Sequence, residues 1–192
     1  MGLFDILRGK PKIKGPAPDR LFAMSTAWVT MDVELQMKTT GRAAIVFRPI
    51  ATQDFDSIVT DMEEVLGATG TETGTAITKR DDSFGYRWMI LEDDDSFEDL
   101  VVGLNAVNSA LQDGGYGERV LAALFGFKTS RGEPAYFIYN VKRGTYYPFV
   151  PKPGSVQARD NEAELRLKAQ LDRELPIEPE LERWFPLWGV PF

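Results

Sequence analysis

The spacing of the apolar residues is what most restricts how this chain can fold, because it switches repeatedly between a period near 3.6 and a period of 2. Asp19 is a good N-cap for a helix carrying Leu21, Phe22, Met24 and Trp28. Met31, Val33, Leu35 and Met37 then alternate with Asp32, Glu34, Gln36 and Lys38, the mark of a half-buried strand. Thr39 to Arg42 reads as a turn into a second strand, 43–49, which gives a hairpin. Between 52 and 66, Phe55, Ile58, Val59, Met62, Val65 and Leu66 line one helical face, with Gly67 as C-cap. Strands are expected at 75–80 and 84–91, and Ser96 caps a helix over 97–112 that turns Leu100, Val101, Leu104, Val107 and Leu111 inward. A third strand pair spans 119–128 and 135–141, and 146–150 extends the sheet until Pro151 and Pro153 end it. A last helix covers 160–175. The expected order is αββαββαββα. Adjacent paired strands alternating with helices imply an α+β fold: one antiparallel sheet of about six strands, with helices mainly on one face.

Lys10 to Pro18 packs three prolines and a glycine into nine residues and reads as a linker, so residues 1–18 stand apart from a single domain over 19–192. Residues 1–18 carry Arg8, Lys10, Lys12 and Lys14 against Asp5, a side-chain charge of +3. That leaves −10 on the rest of a chain whose net charge is −7. An acidic body of this kind repels phosphate backbones, which argues against nucleic acid as a ligand. Leu3, Phe4, Ile6 and Leu7, followed by the row Arg8, Lys10, Lys12 and Lys14, form a short amphipathic stretch able to lie on an anionic membrane surface. The blander use of the same residues is packing onto the domain with the lysines solvated. No stretch approaches the roughly 20 apolar residues of a membrane span. The expected location is therefore the cytoplasm, with the first 14 residues able to hold the chain at the inner membrane face.

The chain contains neither histidine nor cysteine. That excludes Ser-His-Asp and Cys-His nucleophile systems, thiolate chemistry and imidazole-held zinc or iron. No cofactor or metal is called for. The acidic run Glu92 to Asp99 lacks the glycine and the final glutamate of an EF-hand loop, and its place before a helix gives it a structural use. Gly114-Gly115-Tyr116-Gly117 follows a helix rather than a strand, and no P-loop lysine accompanies it.

Two aromatic-proline clusters are the candidate partner-binding surface: Arg143, Tyr146, Tyr147 and Phe149 in the first, Arg183, Trp184, Phe185 and Trp188 in the second. Arginine with tyrosine and tryptophan is the composition of interface hot spots, and neighbouring prolines limit the entropy lost on binding. Trp184, Phe185 and Trp188 have a competing use, folding back over the sheet to complete the core. Arg143, Tyr146 and Tyr147 are expected to keep their polar tips accessible.

The same segments resemble a known family. The opening Met1 to Phe4, Asp19 to Ala23, Phe84 to Trp88, Asp99 to Val101 with Val107 to Ser109, Lys142 to Phe149, Arg159 to Asn161 with Glu164-Leu165, and Arg183 to Gly189 are similar to the PspA-associated protein PspAB family. The resemblance implies an accessory role in envelope stress, beside a PspA-like phage-shock protein and an HtpX-like membrane protease. It brings no catalytic residues with it. The resulting expectation is a non-catalytic adaptor. Its rivals are a chaperone-like domain holding an extended peptide on an open sheet face, and a hydrolase built on carboxylates, tyrosine and arginine.

Overall fold

The computed structural model describes residues 18–154 and 157–192. After a 3-10 turn at Pro18–Ala23 come α1 (Met24–Val33), β1 (Lys38–Phe47), α2 (Gln53–Thr73), β2 (Ala76–Asp81), β3 (Arg87–Glu92), α3 (Phe97–Asp113), β4 (Val120–Lys128), β5 (Pro134–Asn140), β6 (Thr145–Phe149) and α4 (Asn161–Leu171). The six strands form one sheet in the order β2-β3-β1-β4-β5-β6, and every neighbouring pair is antiparallel. The fold is thus a single α+β domain. Its element order is αβαββαβββα rather than the expected αββαββαββα, because the first hairpin does not form.

The reason lies in residues 31–42. Met24, Ala27 and Met31 are all fully buried at helical spacing, so α1 carries through Val33 and takes the first half of the alternating run. Gln36, at φ 53, then turns the chain into β1. The expected turn at 39–42 is instead part of that strand, where the register with β4 shifts between Thr39 and Ala43. Gly41 is what permits the irregularity. It sits at φ 66, and a Cβ there would lie 2.8 Å from the Asp93 carbonyl oxygen, a position only glycine takes without strain. Likewise α2 runs past Gly67 and ends at Gly74, whose φ of 91 suits a left-handed C-cap.

The two faces of the sheet are covered differently. On one, Ala43, Ile45, Phe47, Met89, Leu91, Phe125, Phe127 and Phe137 meet Phe55, Val59, Leu100, Leu104 and Leu111 from α2 and α3, and α4 adds Leu167 and Leu171. On the other, Ala44, Val46, Trp88, Ile90, Ala122, Leu124, Ile138, Tyr147 and Phe149 meet no helix. They are covered by Trp184, Leu187, Trp188, Val190 and Phe192.

Candidate functional site

The candidate residues gather at the β6 side of the sheet. After β5, Asn140 accepts hydrogen bonds on its carbonyl from the Arg143 and Gly144 N–H groups, and Gly144 at φ 65 completes the turn. β6 is the last strand, and its free edge is closed by the arm that follows α4. Tyr146 N–H donates to Pro176 O and Glu178 N–H donates to Tyr146 O, both at 2.8 Å. The edge is thereby removed from open pairing.

Tyr146, Tyr147 and Phe149 do not present a face to solvent, contrary to the expectation for the two tyrosines. Tyr146 is fully buried on the helical side and donates its hydroxyl to Leu21 O at 2.6 Å. Tyr147 is buried on the opposite side, stacks on Trp184 with centroids 6.2 Å apart, and donates to Phe185 O at 3.0 Å. Burial pushes both phenols up, and the nearby Arg159 only partly offsets this for Tyr147. A phenol with a backbone carbonyl at its tip can be buried at little cost, which is why a polar tip does not guarantee exposure. Phe149 packs beneath Trp188, with centroids 5.0 Å apart in an edge-on arrangement.

Two acidic side chains hold the arm down; from the sequence, Glu178 has no assigned role and Glu164 stands only within a segment that carries the resemblance. Glu178, 1% exposed, accepts from Arg143 Nη2 at 3.1 Å, Thr145 Oγ1 at 2.9 Å and the Glu180 N–H at 3.2 Å. Burial raises its pKa, but these hydrogen bonds outweigh burial and hold the carboxyl below its ordinary range. Glu164, 2% exposed, accepts from the Val150 N–H at 2.9 Å and from Arg159 Nε at 2.8 Å. There burial wins over the same kinds of partner and the carboxyl is raised. Arg159 reaches on to Trp184 O at 2.6 Å and lies over the Phe149 ring at 5.6 Å. The indole of Trp184 donates to Glu178 O at 3.0 Å, so Trp184, through its ring and its carbonyl, joins the Glu178 and Arg159 fastenings.

The residues of the second cluster separate. Trp184 is buried, Trp188 is half-buried over the sheet, and Phe185 points away at 60% exposure. Arg183 is also exposed and pairs with Glu180 at 2.7 Å, whereas Arg143 is largely taken up by Glu178. The amphipathic residues Leu3, Phe4, Ile6, Leu7, Arg8, Lys10, Lys12 and Lys14 lie outside the described residues.

The other motifs resolve into local structure. Asp93 is buried and accepts from Thr75 Oγ1 at 2.7 Å, Ser96 N–H at 2.7 Å and Asp95 N–H at 3.0 Å. Ser96 in turn caps α3 at the Asp99 N–H. Gly114 and Gly115 donate to Ala110 O and Gln112 O, closing the end of α3. No group of three or more acids placed to hold a metal ion occurs among the described residues. A cleft of about 680 Å³ opens where β1, β3, β4 and β5 end, lined in part by Arg42, Glu92, Asp93, Asp94, Lys128, Tyr136 and Phe192. Glu92 faces Arg42 in it at 3.4 Å. Burial raises the Asp93 carboxyl, but its three hydrogen bonds prevail and hold it low, the opposite of what a general acid needs.

No helix among the described residues is long and apolar enough to cross a membrane. Neither a curated protein nor a solved structure matches the chain. A family model does, and it takes in the Lys142 to Phe149 and Arg183 to Gly189 segments. Its match covers residues 1–192, and the chain belongs to the family described as PspA associated protein B.

Proposed function

We propose that the chain is a non-catalytic accessory protein of a PspA system, working by protein contact through the ridge of Leu181, Arg183 and Phe185. The observation that carries this reading is the placement of Phe185. It stands 60% exposed beside a 5% exposed Trp184, on an arm pinned by Glu178 and Arg159. An exposed aromatic ring directly after an anchored residue, with its own carbonyl held by Tyr147 Oη, loses little entropy when a partner covers it. Leu181, 48% exposed, lies in the same 3-10 turn as Arg183 and adds apolar surface.

The use of the shifted acids supports contact rather than catalysis. Asp81 is paired with Arg87, Asp82 holds the Trp88 indole and two amides of the β2–β3 turn, and Asp93, Glu164 and Glu178 each fasten a loop or the arm. Acids consumed in this way are not free to exchange protons with a substrate.

The test is a pull-down with a PspA homologue. Arg183→Ala combined with Phe185→Ala is expected to lower capture at least about tenfold, the effect of losing one hot-spot residue. Undiminished capture removes this ridge from consideration. The same pull-down with an HtpX-like protease examines the other partner that the resemblance implies. The +3 charge of residues 1–18 supports a second contact, with the inner membrane face. Flotation with anionic liposomes at low salt, lost at high salt, is the expected result, and a failure to float at either salt rejects it.

A further inference from the structure

The segment 185–192 is attached to the rest of the fold in a way no strand or helix is. Among the described residues, no backbone-to-backbone hydrogen bond joins it to a strand. Its polar fastenings all come from side chains: Tyr147 Oη to Phe185 O at 3.0 Å, Arg80 Nη1 to Pro191 O at 3.2 Å and Tyr136 Oη to Phe192 O at 3.4 Å. Up to Trp184 the arm is locked by buried ion pairs and by ladder bonds to β6. Beyond it, the chain simply lies on the sheet.

The sheet beneath is shaped to receive rings. Gly126, Tyr136 and Phe149 form one cross-strand row over β4, β5 and β6. Gly126 leaves a vacancy in that row, and Phe192 fills it. A Cβ at 126 would lie 2.4 Å from Thr40 Oγ1 and 3.0 Å from Phe192 Cε2, so Phe192 shares that space with the Thr40 side chain. The Phe192 ring meets Tyr136 edge-on at 6.2 Å, and Trp188, four residues earlier, meets Phe149 edge-on at 5.0 Å. Gly189, at φ 75, bends the chain between the two rings. Ala44 and Ala122, beside Leu124 and Ile138, floor the part of the face on which the segment lies, which we call the trough. A glycine inside an apolar strand that is filled by a ring from elsewhere is a seat for that ring, and any extended chain bringing two such rings at that spacing would fit it.

Resting on the contact function above, we infer that the trough is a binding site for an extended segment of a protein partner. That segment carries two aromatic side chains four residues apart with glycine or proline between them. The chain's own residues 185–192 are a resident copy of this ligand. A tethered copy competes at an effective concentration of millimolar order, so the trough stays closed to weak ligands and opens to a partner that also engages the Leu181–Phe185 ridge.

The experiment titrates a fluorescently labelled peptide, Pro-Leu-Trp-Gly-Val-Pro-Phe, the sequence of residues 186–192, into the full chain. The double variant Trp188→Ala with Phe192→Ala, which loosens the resident segment, is expected to bind at least about tenfold more tightly than the unmodified chain. Adding Tyr136→Ala, which removes the ring that Phe192 meets, should abolish that gain. Equal affinity of the unmodified chain and the double variant, or no binding by a folded double variant, overturns the inference. Should the double variant lack a cooperative urea transition, Phe192→Ala alone is titrated, and absence of binding there has the same force. The peptide result is independent of the pull-down: a bound peptide with no captured PspA homologue leaves the trough standing and removes the partner, and the converse removes only the trough.

Discussion

The two faces of the sheet bury similar side chains by different means. On the helical face, α2 and α3 satisfy their own backbone groups and then bring whole apolar stripes to the strands. On the other, residues without regular structure cover Ala44, Ile90, Leu124 and Ile138, and their backbone groups have no ladder to join. Apolar burial is therefore achieved on both faces, but only the helical one couples it to cooperative hydrogen bonding. What this teaches is that a buried surface need not be a hydrogen-bonded one: the second face is closed by a segment whose polar fastenings come from side chains.

The sharpest way to break the comparison is at the hinge between the locked and the loose parts of the arm. Trp184→Ala removes a buried indole, its stack on Tyr147 and its bond to Glu178 O, and is expected to cost about 3–5 kcal/mol in urea denaturation. Leu104→Ala on the helical face should fall in the range of about 2–5 kcal/mol, so the anchor is as strong as the core. Arg159→Ala leaves the buried Glu164 carboxylate without its cation and is expected to cost about 3 kcal/mol by the same measurement.

Past the anchor the effects shrink. Phe192→Ala strips a half-buried ring from the trough and should cost about 1 kcal/mol. Hydrogen exchange of the full chain should show the amides of 187–190 opening locally while those of β4 open only with global unfolding; equal protection would erase the difference between the faces.

Acid titration sharpens the contrast between the two buried acids. Glu178 is held below its ordinary value of 4.5, so it stabilises the fold above that value, and this contribution is lost as pH falls through the lower folded-state value. Glu164 is raised, so its contribution is present below 4.5 and is lost as pH rises through the higher folded-state value. Glu178→Gln should therefore flatten the acid limb of urea midpoint against pH, while Glu164→Gln should steepen it. The smallest effect on stability is expected for Arg183→Ala with Phe185→Ala, within about 0.5 kcal/mol, since both side chains are exposed.

Much of the fold was legible from residue spacing. The helix over Phe97–Asp113 with its Ser96 cap, the strands β2 to β6 and the antiparallel sheet follow from local period and turn chemistry. The miss at 31–42 is instructive: Met31 to Met37 alternates like a strand, but Met24, Ala27 and Met31 also share a helical face, and burial chose the second pattern. The candidate site was legible in composition and not in orientation. Trp184 and Phe185 are adjacent and equally apolar, yet one is buried and the other exposed. Gly126, the one glycine in the apolar run 120–127, was the local sign that other side chains, Thr40 and Phe192, occupy its place.

Residue order alone established most of the helices and strands outside 31–42, that no imidazole or thiol is available for chemistry, and that charge divides between residues 1–18 and the rest. These are properties of neighbours along the chain, where backbone sterics and side-chain period act. Which face of the sheet stays free of helices, which acid pairs with Arg143 or Arg159, and which ring fills the gap at Gly126 were decided only in three dimensions. The contacts of Arg143 with Glu178 and of Gly126 with Phe192 join residues far apart along the chain, and nothing in a local pattern encodes a partner at that distance.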